Sequence, residues 1–147
     1  MKDRITAGFI SGFVAGIGMN VVDWIVNAVY GQKEYLYSWA SVIIYGRMAE
    51  NTWEIVFSQV GQLFFAGFLG IIFAYIMFKL SSRNYLFKGW LYGIIAWFGV
   101  YGISTIFRIP FITSHSAVTV TSHLLSASLY GVLLGEGLHQ ITKRKLV

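Results

Sequence analysis

Asp23 and His123 are the side chains of this 147-residue chain best placed to do chemistry, because each lies deep inside a long apolar segment. A carboxylate facing an imidazole can pass a proton or form half of a metal site. An isolated carboxylate inside a bilayer costs roughly 2–3 kcal/mol on insertion scales, so Asp23 needs a partner or a water-filled cavity. The plainer alternative is an ion pair or hydrogen bond that only fixes two helices together. Residue types leave both open.

Further polar groups lie on the same helical faces, since residues four apart stack on one side of a helix. Asn20 and Asn27 flank Asp23. Glu54, Ser58, Gln59 and Gln62 belong to a second apolar segment, Arg108 ends a third, and His115 and Thr119 precede His123 on a fourth. At ~1.5 Å per residue, Asp23 and His123 both fall about 10 Å below one membrane boundary. Asn27, Glu54, Arg108 and His115 would then ring the mouth of a pocket. Arg108 reads as an interfacial anchor or as a partner of Glu54.

Two carboxylates (Asp23, Glu54) and two imidazoles (His115, His123) could ligate Zn²⁺ or Mn²⁺, although no HExxH spacing supports a metal. All three histidines lie on the last segment, so one chain cannot offer bis-histidine haem ligation across helices. No GxSxG marks a serine nucleophile, and the absence of cysteine excludes disulfides and thiolate sites. No cofactor is expected.

The elements that position these groups follow from composition. Hydrophobic residues make up 56% of the chain and charged ones 12%. Residues 5–22, 55–78, 89–107 and 109–135 carry no Asp, Glu, Lys or Arg, and about 20 apolar residues span a bilayer. These runs predict an all-α, single-domain integral membrane four-helix bundle. Its helices are placed at residues 5–30, 53–78, 86–107 and 116–141, with residues 31–52 forming an outer loop. Leu36, Trp39, Ile43 and Met48 share a face within that loop and predict a short interfacial helix. Lys2 and Arg4 before an apolar stretch have the outline of a secretory signal, but the stretch is long and ends in Asn20 and Asp23, so a retained helix is expected.

Lys2, Arg4, Lys79, Arg83, Lys88, Lys143, Arg144 and Lys145 fall on one side of this layout, against Lys33, Arg47 and Arg108 on the other. The positive-inside bias puts both termini in the cytoplasm. The net charge of +5 is thus a topology signal, and no basic run interleaved with aromatics suggests nucleic-acid binding.

Each segment also carries small residues at four-residue spacing: Gly8, Gly12 and Gly16; Ala66, Gly70 and Ala74; Gly89 and Gly93; Ala127, Gly131 and Gly135. Helices in lipid associate through such close approaches, so a bundle pinched on the inner side and wider on the outer side is expected. Lys88-Gly89, Tyr92-Gly93, Trp97-Phe98, Ala127 and Tyr130-Gly131 resemble the layout of small four-span membrane proteins of Gram-positive bacteria. That resemblance implies a bacterial cytoplasmic membrane protein and no particular activity.

The expected function is transport or channel-like handling of an ion or small polar solute through an outward-facing polar pocket. A homo-oligomer is expected to enclose the pathway, since four helices seldom do. A non-catalytic membrane subunit docking a partner and a membrane-embedded metalloenzyme are the alternatives.

Overall fold

The computed structural model describes residues 3–31, 34–80, 83–111 and 115–144, all of whose regular structure is α-helical. Of the expected loops, residues 32–33, 81–82 and 112–114 lie outside that description, as does the basic tail from Lys145. Five helices follow in order: α1 (Arg4–Tyr30), α2 (Tyr37–Tyr45), α3 (Thr52–Lys79), α4 (Tyr85–Ile106) and α5 (Ala117–Arg144). All but α2 are long and apolar enough to cross a membrane, the make-up of a multi-pass membrane protein.

Local signals set the helix ends. The Asp3 carboxylate accepts the Thr6 N–H at 2.9 Å to cap α1, and the Asn51 side chain accepts the Glu54 N–H at 3.0 Å to cap α3. Gly31 and Gly46 end α1 and α2 in the left-handed conformation, φ 65° and 69°, which costs glycine little. α4 stops at Ile106, ahead of Arg108 at φ 47° and before Pro110 could continue the helix.

α1 packs against α3 and α5, α4 packs against α5, and α2 lies on α3. The small residues explain two of these contacts. A Cβ built on Gly12 would lie 2.4 Å from the Ala66 carbonyl oxygen, and one on Gly70 would lie 2.2 Å from that of Gly8. The same holds between α4 and α5, where a Cβ on Gly89 or Gly93 would meet the carbonyl oxygens of Gly131 or Ala127 at 2.3 Å. Gly16 faces Ala66, and Gly135 faces the Tyr85 carbonyl. The stripes therefore draw the helices together as two pairs, α1 with α3 and α4 with α5. At this range one glycine stripe can admit only one neighbouring backbone.

An apolar core of Ala15, Met19, Ala66, Phe73, Tyr130 and Leu134 fills the centre. Most other large apolar side chains face outward, Phe98 at 70% and Ile95 at 60% exposure among them, as suits a lipid-facing surface. Two phenols tie this core to α3: Tyr130 donates to the Ala66 carbonyl at 2.6 Å and Tyr92 to that of Leu69 at 2.7 Å. Tyr130→Phe is expected to cost about 0.5–1.5 kcal/mol, one net hydrogen bond, because it removes a donor without burying a new polar group. Thermal unfolding in detergent should show a lower midpoint with folding intact; an unchanged midpoint would mean the hydroxyl contributes nothing.

Candidate functional site

The polar residues gather on one side of this core, among side chains of α1, α4 and α5 and the end of the α1–α2 connection. Asp23 is fully buried and His123 is 1% exposed. Asp23 Oδ2 accepts the Leu36 backbone N–H at 3.0 Å, and Oδ1 accepts the Ser122 hydroxyl at 3.4 Å. His123 Nε2 lies 3.5 Å from Asp23 Oδ1. On the other side of the imidazole, Nδ1 lies 2.6 Å from the Tyr101 hydroxyl. If that hydroxyl donates, the neutral ring carries its proton on Nε2, facing the carboxylate.

A second carboxylate–imidazole pair adjoins the first. His115 Nδ1 lies 2.5 Å from Glu34 Oε1, without the alignment of a hydrogen bond. The Tyr101 ring contacts both imidazoles, its centroid 4.9 Å from that of His115 and 6.1 Å from that of His123. Trp97 and Trp39 pack against the same phenol, at 5.2 and 6.3 Å. Asn27 Nδ2 donates to the Glu34 carbonyl at 3.3 Å, holding the connection over the site. On α2, burial together with the nearby Tyr35 and Asp23 pushes the Tyr37 phenol above its usual range.

A turn deeper, Asn20 Nδ2 donates to the Gly16 carbonyl at 2.8 Å and to Gln62 Oε1 at 2.7 Å. Gln59 Nε2 approaches the same Gln62 oxygen at 3.4 Å. Thr119 is buried beside Ser116, their hydroxyls 2.9 Å apart. Several buried atoms here have no hydrogen-bond partner among the described residues: Asn20 Oδ1, Asn27 Oδ1, Ser58 Oγ, Ser126 Oγ and His123 Nε2.

Other sequence candidates lie elsewhere. Glu54 does not meet Arg108; Arg47 grips it with a two-pronged contact, Nη1 to Oε2 at 2.9 Å and Nη2 to Oε1 at 2.8 Å. Glu54 also accepts the Glu50 N–H, so it fastens the α2–α3 connection. A partner seven residues back outcompetes one on another helix. Arg108 is exposed beyond the end of α4. With Glu54 engaged there, the four-residue metal set of Asp23, Glu54, His115 and His123 is not assembled. Among the described residues no three His, Cys, Asp or Glu side chains converge as a metal site.

The cavity that His123 borders is walled almost wholly by apolar and aromatic side chains, because the polar groups turn inward to one another.

Residue typing missed Glu34, Tyr101 and the Leu36 N–H as members of the site. A signal for Tyr101 was present: it continues the Gly89, Gly93, Trp97 stripe that faces α5. Nothing in the sequence signals that residues 34–36 fold back over Asp23.

No protein-family model matches this chain, and no curated protein or solved structure does.

Proposed function

We propose that this protein is a multi-pass protein of a bacterial cytoplasmic membrane that transports an ion, with the Asp23–His123 couple as its central group. The observation that carries the reading is that couple itself, buried between two membrane-length helices with the two side chains 3.5 Å apart. Ionisable groups at such a depth are costly and serve ion or proton pathways by default. Of the solutes expected from sequence, the proton fits best. It needs no cavity, whereas a larger ion or polar solute would have to shed its hydration in an apolar cleft. Hydroxyl and imidazole groups from Tyr101, His123 and Ser122 supply a chain of hydrogen-bonding atoms toward Asp23.

The Phe73, Tyr130 and Leu134 core lies beyond this polar layer and offers no relay of its own. That favours a carrier that exposes the couple in turn over a continuously open channel. α4 buries the least of its surface among the four long helices, and a second copy of the chain against α4 would complete the assembly.

The proteoliposome experiment is direct. Vesicles containing only this protein and a trapped pH dye should acidify faster than empty vesicles after an external acid jump with charge-compensating potassium flow. Equal rates would overturn the transport reading. Orientation is tested separately. Reporter fusions should place residues 1–4, 79–88 and 142–147 in the cytoplasm and residues 33–52 outside, as the basic residues dictate; a cytoplasmic 33–52 segment would reverse the side from which the couple is loaded.

A further inference from the structure

Between α3 and α4 lies a cavity of about 400 Å³, within the roughly 300–1,000 Å³ range of small-molecule sites. The two helices touch at the inner end, where Tyr92 bonds the Leu69 carbonyl and packs on Phe73 with ring centroids 5.1 Å apart. Farther along they diverge, and the far end is covered by Leu36, just before α2, and by Trp39 and Ile43 of α2. Phe65, Ala96 and Trp97 form much of the wall.

Among the polar groups in this wall, which include the indole nitrogens of Trp39 and Trp97, without a partner among the described residues, Gln62 offers an amide of fixed orientation. Gln62 is 8% exposed and lines the cavity. Its orientation is fixed by neighbours: the Gly16 carbonyl can only accept, so the Asn20 atom bonded to it is nitrogen, and the Gln62 atom that this nitrogen also reaches must be oxygen. The Gln62 NH₂ therefore points away from Asn20, and both hydrogen bonds that the Gln62 side chain makes among the described residues run through its oxygen. An amide donor turned to an apolar cavity without an acceptor is costly. The fixed donor asks for an oxygen acceptor, and the walls ask for a hydrocarbon body.

We propose that the α3–α4 cavity binds a small membrane-dissolved hydrophobic molecule bearing a carbonyl oxygen, which accepts from Gln62 Nε2 while its apolar body packs between Phe65 and Trp97. Such a molecule reaches the site sideways from the lipid, between the diverging helices. The proposal is argued from Gln62 and the apolar wall and not from Asp23, although His123 of the couple borders the same cavity.

Benzophenone is a fitting probe, being hydrophobic, carrying one carbonyl, and inserting into nearby C–H bonds on irradiation. With the full-length protein in phosphatidylcholine vesicles, labelling should saturate and map to cavity residues such as Leu69 and Ala96. Gln62→Leu should weaken that labelling about tenfold, the loss of one hydrogen bond. Ala96→Phe, which fills the cavity from the opposite wall without touching the Asn20–Gln62 contact, should abolish it. Dicyclohexyl ketone should compete and diphenylmethane, the same shape as the probe without its oxygen, should not.

Equal competition by diphenylmethane, or undiminished labelling in a folded Gln62→Leu protein, would overturn the carbonyl requirement and leave a cleft for lipid chains. Unsaturable labelling spread over lipid-facing residues such as Phe98 would overturn the site altogether, as would Ala96→Phe labelled like the wild type. Cavity residues unlabelled because a second copy covers them, seen as a dimer cross-linked through α3 and α4, would do the same.

Discussion

Asp23→Asn is expected to abolish proton flux in proteoliposomes while leaving the protein folded. Asparagine keeps the shape of the carboxylate and can still accept the Leu36 N–H through its own oxygen, the contact made now at 3.0 Å. Its nitrogen can donate toward His123 Nε2 once that ring moves its proton to Nδ1, toward the Tyr101 oxygen. The fold thus has a way to satisfy the amide that it lacks for an apolar residue. What asparagine cannot do is take up and release a proton. His123→Gln should likewise stop flux. If the couple were only a structural ion pair, each single variant would strand a buried charge at about 3–5 kcal/mol. The double variant would then recover the stability, and flux would be the same in all. Melting temperature and flux read together on the three variants distinguish the two cases.

Gly131→Leu is expected to be among the most damaging substitutions outside the polar layer. Even a Cβ there would lie 2.2 Å from the Gly89 carbonyl oxygen and 2.8 Å from its carbon. Both are backbone atoms that cannot swing aside. The helices must separate along the whole α4–α5 crossing, and that movement reaches the Tyr101–His123 contact further along the same pair. Overpacking alone costs about 1–3 kcal/mol, and lost helix–helix contact adds to it. Gly12→Leu should do the same between α1 and α3. Gly99, on α4 with nothing within 4 Å of its Cβ position, provides the control, and leucine there should change stability by no more than ~0.5 kcal/mol. Comparable melting temperatures for Gly131→Leu and Gly99→Leu would show that the glycine contacts do not hold the helices.

The long helices were legible because their signals are local, uncharged runs of membrane length. The pairing was half legible. Stripes of small residues mark which face of each helix admits a neighbour, but all four look alike, and the sequence does not say which stripe meets which. Once Gly93 is known to face Ala127, the rest of that register follows, and Tyr101 must approach His123.

The candidate site shows the same division. Asp23 and His123 could be singled out because ionisable residues in apolar runs are conspicuous. Glu54 misled because its partner, Arg47, lies in the connection and the carboxylate serves a helix start there. Glu34 was passed over for the opposite reason, since a charge in a loop reads as solvated until the loop is seen to cover a buried imidazole. The apolar nature of the neighbouring cavity depends on which way Gln62 and Asn20 turn, which only tertiary packing decides.

The most direct measurement is infrared difference spectroscopy of the protein in lipid, cycled between about pH 2.5 and pH 9, a range that brackets ordinary carboxyl and imidazole titration. A couple that loads and releases a proton predicts a carboxyl C=O band that appears and disappears reversibly with pH and is missing in Asp23→Asn. A spectrum in which the wild type and Asp23→Asn differ by no pH-dependent carboxyl band would contradict it, because a carboxylate that never changes its protonation cannot carry the ion.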